Sequence, residues 1–265
     1  LYRLPDYKLP DNENVQLYAL QDIINQKDGY PAQVAAAKQN FDRKPASLFG
    51  RIRDHLEILS GHLVRCSYCE DSCADEVEHV RPKDYYPAVT FHWENYLFAC
   101  GPCNGGKRNK YPLIVDGQKI DLSQHRKQNG IVPPPDGIEM FIDPRTEEAM
   151  DHIWLDIIGG TFRFDPLNED DQLSYDRADS TITILRLNRE VLTRARKNAF
   201  TGYIDRLAQY ARRKKEDGPD DELRSRQKDI AISPHRTVWL EIKRQKNLIP
   251  IAKVLFEEAP ETLDL

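Results

Sequence analysis

The chain has 265 residues, 40% of them hydrophobic and 31% charged, with a formal net charge of −5. That balance suits a packed soluble fold, and no run approaches the roughly 20 apolar residues that span a bilayer, so no membrane partner is expected. The acidic total argues against a surface coated in basic residues for nucleic acid. No charged-then-apolar leader opens the sequence, and the expected location is the cytoplasm.

In chain order, residues 1–13 are polar and proline-bearing, which points to an extended arm. The spacing of Val15, Leu17, Leu20, Ile23 and Ile24 predicts a helix over 15–26. Gly29-Tyr30-Pro31 breaks it, and further helices are expected over 34–40 and 46–60. Residues 114–180 read as short strands and turns, among them Pro133-Pro134-Pro135-Asp136-Gly137 and Gly159-Gly160. Residues 181–187 are β-branched enough for a strand or a buried entry segment. Asn188 then suits the N-cap of a long helix ending before Gly218-Pro219. Two more helical stretches are expected, over 221–232 and 234–256, the second broken at Pro250. The basic run Arg212-Arg213-Lys214-Lys215 falls at a helix end, where cations complement the helix dipole. The expected fold class is α+β and mostly helical. It divides into an N-terminal arm and helices (1–61), a core (62–113), a mixed strand and loop extension (114–187) and a C-terminal helical region (188–265).

All five cysteines lie within 38 residues. Cys66-Ser-Tyr-Cys69 and Cys100-Gly-Pro-Cys103 are two knuckles, each able to place two thiolates on one ion. Four thiolates make a closed tetrahedral zinc site, and an odd cysteine count without an export signal favours metal over disulfides. The 30 intervening residues must fold, so the clamp ties together the ends of an inserted unit. Cys73 is left over; it reads as a small buried residue rather than a ligand and has no assigned role.

Between and beside the knuckles stand Glu78, His79, Asn95 and Asn104. Phosphodiester hydrolysis needs an activated water and a cation to neutralise phosphate charge. A neutral histidine can take the proton, which suits His79. A carboxylate and an amide oxygen make a hard seat for Mg²⁺ or Mn²⁺, which suits Glu78 and Asn104. Neighbours on a regular strand point to opposite faces, so Glu78 and His79 share a cleft only if the strand ends there. From His79 to Lys110 five basic residues face two acidic ones. Of these, Arg81, Lys83, Lys107 and Arg108 are candidate contacts to substrate phosphate. Lys107 and Arg108 would share a helix face with Asn104. His55, His62, His92, His125, His152 and His235 show no partner pattern and read as structural.

These residues carry a resemblance. Cys66-x-x-Cys69, Glu78-His79-x-x-Pro82-Lys83, Trp93-x-Asn95 and Cys100-x-x-Cys103-Asn104-x-x-Lys107 resemble the zinc-containing HNH endonucleases. That resemblance implies a ββα-metal, treble-clef-like core. It implies His79 as general base, Glu78 and Asn104 as ligands of the catalytic ion, and Asn95 as a brace for the loop bearing the base. The usual Asp or His at the metal position is Glu here. A narrower resemblance, covering roughly residues 48–200, is to HNH subunits of Septu- and retron-type anti-phage systems. It rests on Cys66-Ser-Tyr-Cys69-Glu70, Glu78 through Lys83, Tyr86-Pro87, Ile142-Asp143-Pro144 and Leu185 through Arg189 with Leu192 and Arg196. It implies an antiviral defence nuclease acting on DNA, with RNA as the alternative substrate. It also implies an ATPase subunit as partner and assembly into an oligomeric complex. A zinc module that only docks nucleic acid or a partner is the non-enzymatic alternative.

Overall fold

Apolar residues recurring at helical spacing set the N-terminal layer. A computed structural model describes residues 1–61 and 64–265; His62 and the opening of the expected core, 62–63, lie outside the described residues. Helix α1 (Asp11–Asn25) buries Leu17, Gln21 and Ile24 on one stripe and carries Asp11 and Glu13 in its first turn, where the helix dipole favours them. Gly29, at a φ of 79° that a side chain would strain, lets the chain turn into α2 (Tyr30–Asp42). Helix α3 (Ala46–Leu59) buries Leu48, Phe49, Ile52, Leu56 and Leu59. Arg51 of α3 reaches Glu13 of α1 at 2.7 Å. The segment before α1 is extended as expected, yet it is anchored rather than loose. Leu4 and Leu9 are buried, Leu4 N donates to Pro144 O, and Trp93 Nε1 donates to Tyr7 O.

The centre is a hairpin and a short helix. Strand β1 (Glu76–His79) pairs antiparallel with β2 (Tyr96–Ala99), setting Glu78 opposite Leu97 and His79 opposite Tyr96. Helix α4 (Gly101–Lys107) follows β2 directly and packs on β1, while α3 packs on β2. A β–β–α order therefore stands where the core was expected.

The next region is the mixed one. Strands β3 (Leu113–Val115) and β4 (Gln118–Ile120) form a hairpin through Asp116 and Gly117, both at positive φ, and β5 (Ile138–Glu139) pairs on the other side of β3. Helix α5 (Leu122–Asn129) starts on the Asp121 carboxylate, which accepts from Ser123 N at 2.7 Å. Strands β6 (Ile153–Leu155) and β7 (Phe164–Pro166) make a second small hairpin. Helix α6 (Gln172–Ile184) is capped by Asp171. Of the strand or buried entry segment expected over 181–187, the strand is not formed: 181–184 close α6, and the turn that follows buries Leu185 and Leu187 but exposes Arg186. Thr181 keeps its helical place because its hydroxyl donates to Arg177 O and accepts from Ile142 N, each at 2.9 Å.

The C-terminal layer is helical: α7 (Glu190–Lys215), α8 (Asp220–Ala231), α9 (Arg236–Arg244) and α10 (Pro250–Glu258). Asn188 is not the N-cap of α7; Arg189 occupies that position. The Asn188 amide instead clamps β7, accepting from Phe164 N and donating to Phe164 O at 2.7 Å each. The fold is thus mixed α+β with small sheets, and buried residues from Leu1 to Ala259 join in one hydrophobic core. Among the described residues no helix is long and apolar enough to cross a membrane.

Candidate functional site

The four knuckle cysteines converge. Cys66 and Cys69 sit in the turn ahead of β1, which Ser67 N fixes to Phe98 O of β2 at 2.8 Å. Cys100 occupies the N-cap position of α4 and Cys103 its first turn. All four are buried, and their sulfur atoms lie within 4.8 Å of one another. A tetrahedral ion with Zn–S bonds of about 2.3 Å needs sulfurs slightly under 4 Å apart. The Cys69–Cys100 separation of 3.9 Å meets that demand, so the donor set could hold zinc. Burial pushes the Cys66 thiol up, whereas hydrogen bonds from Cys100, Cys103 and Cys66 hold Cys69 down. Cys73 lies outside the cluster, as expected, but is exposed rather than buried. The guanidinium of Arg189 approaches Cys103 Sγ at 3.6 and 3.7 Å, a cation against a centre that four thiolates and a divalent ion would leave negative.

His79 ends β1 with its ring on the α3 side of the hairpin. It packs against Tyr96, 5.3 Å between centroids, and against Phe41 of α2, 4.4 Å between centroids. Its Nε2 lies 2.9 Å from Thr90 O. A carbonyl only accepts, so Nε2 carries the proton and Nδ1 of the neutral ring is the free acceptor. Only 6% of the residue is exposed. Burial, then the charges of Lys83, Lys107 and Lys44, lower its pKa to about 3. Asn95 spans the loop after β1. Its Oδ1 accepts from Arg81 N at 2.7 Å, and its Nδ2 donates to Arg81 O and Val89 O at 3.1 and 3.0 Å.

Glu78 leaves the strand on the opposite face, toward α4. Lys107, with no exposure, donates to Glu78 Oε1 at 2.6 Å and to His79 O at 2.7 Å. Burial raises the Glu78 carboxyl, and the Lys107 charge opposes that rise. The amide of Asn104 donates to Glu76 Oε2 at 2.5 Å. The structure therefore joins Glu78 to Lys107 and Asn104 to Glu76, and sets His79 across the strand from both. The sequence reading missed Glu76, although a carboxylate two residues before Glu78 on a strand shares its face. It also missed the contact of Phe41 on His79, for which spacing offers no signal.

The candidate phosphate residues separate. Lys107 is a buried counter-ion rather than a surface cation. Arg108 leaves α4 at a φ of 46° and is exposed, so it no longer shares the Asn104 face. Arg81 is held by Glu139 at 2.7 and 3.1 Å. Lys83 extends over the Phe41 ring, 5.0 Å from its centroid. In the run at the end of α7, Arg213 pairs with Glu216 and Glu222, and Lys214 with Glu261, each at 2.8 Å. A surface concavity between α7 and α8, lined by Gly202, Arg206 and Arg226 among others, holds none of the candidate site residues.

No family model matches this sequence. A curated protein, Septu protein PtuB of Bacillus thuringiensis, is 37% identical to the chain over 89 residues. That alignment covers 30% of this chain and 35% of the PtuB protein, so the chain spans about a third of the relative's length. The chain is a partial homologue of a Septu protein, and its buried cysteine cluster is compatible with a zinc site.

Proposed function

We propose that the chain is a metal-dependent HNH endonuclease that hydrolyses DNA phosphodiester bonds, serving as effector of an anti-phage defence complex with an ATPase subunit. The observation that carries this reading is the His79 tautomer. With Nε2 committed to Thr90 O, Nδ1 of a neutral imidazole is left as acceptor beside a hairpin and helix framed by four cysteines. The likeness to the Septu protein supports the defence role.

The chain's own residues divide the work. His79 Nδ1 takes the proton of the attacking water; burial and the nearby lysines keep the ring neutral near pH 7 but also weaken it as a base, a loss that an anionic phosphate bound beside it would offset. Asn95 holds the loop that carries the Thr90 carbonyl, and so the ring's orientation. Glu78 and Asn104, with Glu76 beside them, supply carboxylate and amide oxygens that fit a hard divalent cation, and Lys107 occupies only one oxygen of Glu78. A bound Mg²⁺ or Mn²⁺ would neutralise charge on the phosphate and the leaving oxygen. β1 ends at His79, and the chain runs on from its C-terminal edge to Lys83. Lys83 there is close enough to perturb both Glu78 and His79.

A second reading has its own observation. The Lys107–Glu78 pair fills part of the seat, and His79 is nearly closed off, as a non-catalytic docking module would have it. A nuclease assay decides. Parent and His79→Ala are compared on DNA and RNA, with Mg²⁺ or Mn²⁺, alone and with the ATPase. Cleavage of DNA by the parent and its loss in a zinc-loaded His79→Ala is the expected result. Equal cleavage by both removes His79 as the base; no cleavage under any condition favours the docking module, and cleavage of RNA alone changes the substrate.

A further inference from the structure

Three groups converge on one aromatic ring. Phe41, in the last turn of α2, lies 4.4 Å from the His79 ring. The ammonium of Lys44, just past α2, is 4.3 Å from the Phe41 centroid, and that of Lys83 is 5.0 Å from it. Neither lysine is hydrogen-bonded to the cysteine cluster, Glu78 or Asn104, although the charge of Lys83 reaches Glu78. Of the neighbouring cations, Lys38 of α2 pairs with Asp84 and Arg51 of α3 with Glu13, whereas Arg43 and Arg53 are in no ion pair among the described residues. Among the described residues Lys44 and Lys83 have no such carboxylate. Lys44 Nζ donates only to Phe41 O, at 3.2 Å, which leaves donors over.

We infer that Lys44 and Lys83 form a two-cation seat for a backbone phosphate of a nucleic acid beside His79, with Phe41 as the platform that holds both. The inference rests on the hydrolytic reading above and adds to it a residue from the N-terminal helices. Electrostatics support an anion there. Burial first, then the charge of Arg53, lowers the Lys44 pKa, with Lys83 acting the same way and Asp42 opposing them. A phosphate between the two ammonium groups would relieve that repulsion. Both cations also bear on the His79 imidazole, so the phosphate they hold lies next to the proposed base. An aromatic face gives an ammonium a weak hold, which a charge-assisted hydrogen bond to phosphate exceeds. Neither DNA nor RNA is selected, because the seat reads only the phosphate.

The test is binding without turnover. The zinc-loaded chain, in buffer without added divalent metal, is titrated against fluorescent duplexes of one sequence as DNA and as RNA, over a salt series. Lys44→Gln is expected to weaken binding about fivefold near physiological salt and to flatten the slope of log affinity against log salt by about 0.9 on DNA. Lys44→Arg should restore both, and Lys83→Gln should match Lys44→Gln. Zinc content and circular dichroism check that each variant is folded. An effect confined to one polymer assigns the seat to that backbone. Parent values of affinity and slope in both Gln variants overturn the seat and leave the hydrolytic reading standing. So does a parent chain that binds neither polymer. A lysine-dependent affinity in a chain that cuts nothing keeps the seat and removes hydrolysis instead.

Discussion

Burial and nearby positive charge act on His79 in the same direction, and the consequence reaches beyond chemistry. The imidazole titrates near 6.5 when solvated and near 3 in the fold. Above 6.5 it is neutral in both states and costs nothing. As pH falls below 6.5 the unfolded chain binds a proton that the folded chain refuses. Stability is therefore lost progressively from about 6.5 down to about 3, by about 2 kcal/mol at pH 5. His79→Gln has no such proton to bind. Urea midpoints for parent and variant, compared between about pH 7.5 and about pH 5, should show a larger acid loss in the parent. Equal losses would mean that the ring is not held neutral by the fold.

Of the helices read from the sequence, α1 to α3, α7, α9 and α10 share one property: their apolar residues recur at three and four and pack on a single core; α8 buries only Ile230. The two cysteine knuckles were legible for a comparable reason, since their spacing alone allows four thiolates to meet. What was not legible depends on which way a side chain turns. Lys107 sits at the expected offset from Asn104, but the offset does not say that its amine faces inward to Glu78. The segment 181–187 has strand composition, yet the Thr181 hydroxyl finds partners only a helix brings within reach. Asn188 has the chemistry of a cap, and the fold uses that chemistry between elements. Its clamp on Phe164 fixes β7 against the turn that leads into α7. Asn188→Ala should cost about 1–3 kcal/mol in denaturant unfolding, because two backbone groups of β7 lose their partner. Asn188→Asp, which can accept from Phe164 N but not donate to Phe164 O, should fall between parent and Ala. An Asn188→Ala variant as stable as the parent would show that the clamp is replaced by water at no cost.

The cysteine cluster is placed where the layers of the molecule meet, and that position sets what its loss should do. Ser67 ties the first knuckle to β2, and the next residue after Cys69, Glu70, accepts from Thr237 N of α9 at 2.9 Å. Arg189, at the start of α7, donates to Cys103 Sγ. A metal held by the four sulfurs therefore joins the hairpin and α4 to two helices of the C-terminal layer, as well as closing its own loop. Structural zinc contributes folding free energy outright, because no preformed site exists in the unfolded chain. Removing one ligand by Cys100→Ser should abolish bound zinc and lower the unfolding temperature. Hydrogen exchange should then report the reach of the damage. Faster exchange is expected in β1, β2 and α4, and also at the amides of Thr237 and the first turn of α7, which lie far from Cys100 in sequence. Faster exchange confined to the knuckles would make the cluster a local staple, and zinc retained at the parent level in Cys100→Ser would refute the four-thiolate site itself. Loss that spreads into α7 and α9 would mean that the proposed effector, though its chemistry is carried by one short hairpin, depends on zinc to hold its helical layer in register with that hairpin.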